Sequence, residues 1–94
     1  MTEPAAPDRF AVLRGEIAAN DRLVVEAVNK RLRLVAELWR LKDEQGTERL
    51  DPDRERRLRE ELRGTNRGPL SASGLDRLVT ELLDLTKREL GRAR

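Results

Sequence analysis

The 94-residue sequence contains no cysteine and no histidine. Without cysteine there is no disulfide to staple the fold and no thiolate nucleophile; without histidine the commonest general base is missing, and with both absent most zinc sites are excluded. Tyrosine is absent too, and the aromatics reduce to Phe10 and Trp39, so apolar burial has to come from aliphatic side chains. No apolar run approaches the ~20 residues of a membrane span, and Met1-Thr2-Glu3-Pro4 has neither the basic start nor the apolar core of a secretory signal. A cytoplasmic protein without a membrane partner is the expectation. A large excess of one charge is also lacking, since 20 Lys and Arg meet 18 Asp and Glu for a net +2, interleaved along every segment. A nucleic-acid binder usually gathers its basic residues on one face or in a tail, which argues against that class. Any chemistry left to this chain must use Arg, Lys, carboxylates and hydroxyls, with no metal and no cofactor called for.

What the chain does have is helical pattern. With 40% charged residues, abundant Leu, Arg and Glu, and 37% hydrophobic residues, the composition fits a small all-α protein. One domain over residues 1–94 is the expectation, with 1–6 as a disordered arm ahead of Pro7. Three helices are predicted. The first runs from Pro7 to Gln45 and stops before Gly46, a residue suited to following a helix end. Asp51 caps the second, Pro52 takes its first position, and Leu58 and Leu62 are its apolar anchors up to Arg63. Residues 64–69 form a loop, after which Ser71 caps a third helix carrying Leu75, Leu78, Val79, Leu82, Leu83 and Leu85 at helical spacing.

The first helix holds the anomaly. At ~100° per residue, Phe10, Leu13, Ile17, Val24, Val28, Val35, Leu38 and Trp39 share one broad face, with Arg22, Glu26, Asn29, Arg33, Glu37, Arg40 and Glu44 opposite. Glu26 with Lys30 and Arg33 with Glu37 have the spacing of supporting i,i+4 pairs. Arg31 and Lys42 project near the centre of the apolar set. Burying an unpaired charge there would cost several kcal/mol, so the seam must hold either internal ion pairs or an anionic ligand. Length adds a second constraint. A helix from Pro7 to Gln45 spans about 57 Å, whereas a compact chain of this size has a radius of gyration of about 12 Å. A second copy covering the stripe is the economical answer. Arg14 lies about 25 Å along the axis from Arg31, so one small ligand could meet both only if they came from different protomers.

These residues carry a resemblance. The order Leu13-Arg14-Gly15-Glu16-Ile17, Asn29-Lys30-Arg31, Leu41-Lys42, Asp51-Pro52-Asp53-Arg54-Glu55 and Gly68-Pro69-Leu70-Ser71 resembles the all-helical (type II) chorismate mutase family over nearly the whole chain. The resemblance implies three helices, one very long, in an intertwined homodimer that converts chorismate to prephenate in phenylalanine and tyrosine biosynthesis. It also implies a site in which Arg14 of the partner and Arg31 clamp the two substrate carboxylates, for which a guanidinium fork is well shaped. Lys42 would stabilise the ether oxygen, Glu55 and the helix start at Asp51 would receive the ring hydroxyl, and Arg54 would complete the charge network. Thr86 stands where the family often has serine. The chain departs from the pattern at Leu90, where the family usually has Gln or Glu as a second donor to the ether oxygen, and Glu89 beside it is the substitute the sequence offers. Short members of the family are activated by 3-deoxy-arabino-heptulosonate 7-phosphate synthase, which the resemblance suggests as a partner here, together with the polar tail from Gly91 to Arg94.

Simpler roles stand beside these. Capping alone explains Asp51, Arg54 and Glu55 fit a solvated helix face, Arg14 fits an ordinary surface, Thr86 fits a core, and Trp39 fits a dimer seam. Arg31 and Lys42 could also pair with carboxylates of a second copy. Two further functions share the same residues: elimination of pyruvate from isochorismate, and a non-catalytic helical dimer that docks on a shikimate-pathway enzyme.

Overall fold

Asp8 begins the first helix, accepting a hydrogen bond from Phe10 N on its Oδ1 at 3.0 Å while its carbonyl takes Val12 N at 3.0 Å. The computed structural model describes residues 8–91, which form helices α1 (Arg9–Glu44), α2 (Pro52–Thr65) and α3 (Ala72–Gly91) and no strand. The expected arm over 1–6 and the tail residues Arg92 to Arg94 lie outside the described residues, as does Pro7. The chain divides within α1 into two compact units, Met1–Arg31 and Leu32–Arg94.

In the first unit α1 buries nothing completely. Its apolar side chains face outward in the single chain, Phe10 being 73% and Ile17 60% accessible, values that a second layer would have to lower. Arg14 is exposed and Arg31 half-buried.

In the second unit α1 continues from Leu32 with a half-buried stripe of Leu32, Val35, Trp39 and Lys42, at alternating spacings of three and four. On the solvent side Arg40 bridges Glu37 at 2.6 Å and Glu44 at 2.7 Å, so Glu37 faces Arg40 rather than the expected Arg33. The ending is chemically explicit. Gly46 adopts φ +69°, Gly46 N donates to Asp43 O, and Thr47 N donates to Lys42 O at 2.8 Å. This is the paired bonding of a left-handed glycine stop, which a residue with a Cβ would enter only under strain.

α2 starts as its sequence requires, with the Asp51 carboxylate accepting from Arg54 N at 3.1 Å and Pro52 in the first turn. It runs to Thr65, two residues beyond the expected Arg63. Gly64 is a weak helix former rather than a stop, and the turn belongs to Asn66, whose N–H bonds to Leu62 O and whose side chain holds Gly68 N and Leu70 O. Ser71 Oγ then accepts from Gly74 N at 3.0 Å to open α3. A Cβ on Gly74 would lie 2.9 Å from Leu70 Cδ1, so a side chain there would require the end of the Leu70 side chain to shift.

α2 packs on α3. Leu75, Val79 and Leu83 are buried and Leu62 leans on them from α2, while polar ties frame this contact. Arg59 donates to Asp76 O at 3.1 Å and to Thr80 Oγ1 at 2.8 Å, and Arg63 holds the Asp76 carboxylate at 2.9 Å. Thr86 is buried and donates to Leu82 O at 2.8 Å, satisfying its hydroxyl inside the helix. With so few buried side chains, each matters: Leu83→Ala should destabilise the protein by about 2–5 kcal/mol, read as a shifted midpoint in urea denaturation with an unchanged slope.

Candidate active site

The end of α1 and the loop after it fix the most informative side chain. Lys42 is half-buried, and its Nζ donates to the carbonyl of Arg49 at 3.1 Å. A carbonyl accepts the hydrogen bond without cancelling the positive charge, and a lysine has further protons to offer a second acceptor. Of the two alternatives the sequence left open for Lys42, neutralisation by a carboxylate within the chain is not what its described contacts contain.

Arg49, to which the sequence alone assigned no role, organises this corner. Its guanidinium reaches back to the last turn of α1, where Nε meets Asp43 Oδ1 at 3.0 Å and Nη2 meets Asp43 Oδ2 at 2.7 Å. It also lies over the Trp39 ring at 5.2 Å from the centroid, within the range of a cation–π contact. The fork hydrogen bonds hold the Asp43 carboxyl below the usual carboxylate range, and the same bonds hold the Arg49 guanidinium above its ordinary value. The half-buried Trp39 ring thus carries the guanidinium of its own chain's loop on one side.

At the start of α2, Asp51 and Glu55 are half-buried and Arg54 is exposed. Glu55 lies 3.6 Å from Lys87 Nζ, which links the first turn of α2 to the C-terminal half of α3. The Asp51 carboxylate is engaged in capping, and its partial exposure leaves an edge open to a ligand. One turn on from Thr86, Leu90 is half-buried on the side of α3 that buries Leu83 and Thr86, whereas Glu89 is exposed. Helical spacing puts Glu89 at the rim of that face. The expectation that it lies on the face beside Leu90 is corrected to that extent.

Lys42, Asp51, Arg54, Glu55, Thr86, Glu89 and Leu90 therefore all belong to the second unit, and Arg14 and Arg31 to the first. Contacts given by the fold tie Lys42 to the segment before α2 and Glu55 to α3. Chemically the second unit offers a half-buried lysine whose ammonium rests on a carbonyl, a half-buried carboxylate in the first turn of α2 and a cap carboxylate.

Comparison with known proteins decides the family. The model of chorismate mutase type II matches residues 13–89. The chain belongs to the chorismate mutase type II family. By family and by fold it is a chorismate mutase, an isomerase. The chorismate mutase structure from Thermus thermophilus in its form II is similar at a TM-score of 0.86 and 29% identity, over 92% of this chain and 98% of that one. Form I of the same enzyme gives a TM-score of 0.81 and 30% identity, over 84% of this chain and 99% of that one. No curated protein sequence matches the chain. Among the described residues of this chorismate mutase, no helix is long and apolar enough to cross a membrane.

Two residues in this corner, Arg49 and Lys87, lay beyond sequence reasoning. Lys87 sits beside Thr86 in the chain, which is a signal of position but not of pairing. The Asp43 to Arg49 contact spans a glycine stop, so no helical period announces it.

The lowered Asp43 carboxyl gives a pH prediction. A carboxylate whose folded value lies below its unfolded value adds stability above the unfolded value and loses it as the pH falls through the folded one. The Arg49 contact should accordingly release at a lower pH than that at which an unpaired aspartate takes up its proton. Emission of Trp39, the sole tryptophan, should report that release in an acid titration, at a pH where circular dichroism still shows intact helix. Asp43→Asn should erase the transition.

Proposed function

We propose that this chorismate mutase converts chorismate to prephenate as a cytoplasmic homodimer, each chain serving as one chorismate mutase-like domain and each of two equivalent sites drawing Arg14 from the partner chain. The reaction is a unimolecular Claisen rearrangement: the ether C–O bond breaks as a C–C bond forms, and no proton transfer, nucleophile or cofactor is required. Two things accelerate it. One is holding the dianion in its folded conformer, which lowers the entropic part of the barrier; the other is a fixed positive charge where the ether oxygen becomes negative.

The observation that carries this reading is Lys42. An ammonium resting on a backbone carbonyl keeps its charge for a ligand and is held in place while doing so. Arg14 of the partner and Arg31 would clamp the carboxylates, Arg54 would complete the charge network, and Glu55 with Asp51 would accept the ring hydroxyl. Thr86 would face the substrate from α3. The exposed apolar residues of α1, including Leu34 and Val24, together with a core of so few side chains, support the second copy.

Leu90 sets the rate expected of the isolated enzyme. A leucine at that position cannot donate to the ether oxygen, and losing one such donor typically costs about a hundredfold. A slow enzyme that gains from a partner, of the kind 3-deoxy-arabino-heptulosonate 7-phosphate synthase would be, follows from that deficit.

Chorismate depletion followed by ultraviolet absorbance, with the product resolved by chromatography, tests the proposal. Lys42→Ala and Arg31→Ala should each lower kcat by about a hundredfold or more, while light scattering still reports a dimer. Retained turnover in either variant would remove that residue from the site, and pyruvate released from isochorismate at a higher rate would reassign the chemistry. Leu90→Gln should move the other way, raising kcat toward a hundredfold in the same assay.

A further inference from the structure

We propose that Asp43 and Arg49 are positioning residues that aim Lys42. The inference rests on the reading of Lys42 as the group facing the ether oxygen, and goes beyond it to what holds that group.

Lysine is a poor choice for a preorganised charge unless something restrains it, because its stem has many rotamers and its ammonium no preferred direction. Here the restraint is one carbonyl, that of Arg49 at 3.1 Å. That carbonyl lies in the non-helical stretch between α1 and α2, where no helix ladder fixes the backbone. What fixes it is the side chain of the same residue. Arg49 is bound to Asp43 through both carboxylate oxygens, at 3.0 and 2.7 Å, and rests on Trp39.

Trp39, Lys42 and Asp43 lie within one turn or so of α1, at spacings of three and one. A single residue outside the helix is therefore held at three points by adjacent helix positions, twice through its side chain and once through its carbonyl. The helix stop supplies the geometry. Gly46 turns the chain back so that residue 49 returns beside the turn it has just left, and Thr47 N closes on Lys42 O. Lys42 is thus bonded at its backbone carbonyl by the stop and at its ammonium by the loop. Releasing Arg49 from Asp43 would free the Arg49 carbonyl and with it the direction of the Lys42 ammonium. The barrier would rise with no contact to substrate being lost.

Such a loss has a recognisable kinetic form. A misaimed transition-state donor lowers kcat and kcat/KM together and leaves KM in place, and a displacement of about 1 Å can cost about a hundredfold. Asp43 and Arg49 are exposed enough that their substitution should not unfold the protein.

Asp43→Asn, Arg49→Ala, their double variant, Arg49→Lys and Lys42→Ala should be compared in steady-state chorismate turnover, with thermal unfolding and dimerisation measured alongside. The expected result is a fall in kcat of between about tenfold and about a hundredfold in Asp43→Asn and in Arg49→Ala, with KM unmoved. The double variant should fall no further than either single one, since both break the same contact, and Arg49→Lys should recover part of the loss. Normal kcat in both single variants, set against an inactive Lys42→Ala, would overturn the positioning role and leave Lys42 in the site. Additive losses that track lowered unfolding temperatures would overturn it as well, by marking a general stability effect. An active Lys42→Ala would refute the reading of Lys42 itself, and the clasp with it.

Discussion

A lysine half-buried on an apolar helical stripe has to place its charge against something, and what it meets shapes the corner around it. Lys42 meets a carbonyl, not a carboxylate. Had the chain supplied an aspartate there, an ion pair would have taken up the charge. A carbonyl dipole orients the ammonium and leaves its charge in place. A chain without histidine or cysteine can serve as an enzyme of this family because a pericyclic rearrangement asks for shape and electrostatics, which arginine and lysine are able to supply.

The cations also explain the unusual distribution of apolar surface. α1 carries many large aliphatic residues and buries none of them fully in the single chain, while α2 and α3 bury only a small cluster around Val79. If α1 lines a ligand seam as proposed, it cannot also be the centre of its own chain's core. Its apolar flanks are left for another surface, and a second protomer that brings Arg14 to the seam would satisfy both demands.

Much of this was legible in the sequence because the signals are local. Asp51 with Pro52, Ser71 and Gly46 each fix a helix boundary through bonds to residues within a few positions, and the structure places each boundary where those residues imply. The second helix overran its expected end because Gly64 is tolerated inside a helix, and the decisive turn chemistry sits in the Asn66 side chain instead. Period alone drew attention to Arg31 and Lys42. It could not reveal Arg49, whose partners lie across a reversal of the chain, nor separate Glu89 from Leu90, since adjacent helical positions differ by ~100° and either could have been turned inward. The roles of Arg14 and Arg31 came from resemblance, because a charge on a helix announces a need for balance without naming what balances it.

Leu90 is where the physical argument and the family pattern pull apart. Leu90 is half-buried one turn beyond Thr86, outside the cluster of Leu75, Val79, Leu83 and Leu62, and a leucine there has no hydrogen bond to donate. On the proposed reading of the site, a donor missing at this position raises only the transition state and leaves the folded chain as it is. If Lys42 faces the ether oxygen as proposed, the electrostatic share of catalysis then falls more heavily on it. The fewer the groups that stabilise the developing charge, the more each one's aim matters, so a lysine tied at both ends is of most use in the family member that lacks its neighbour.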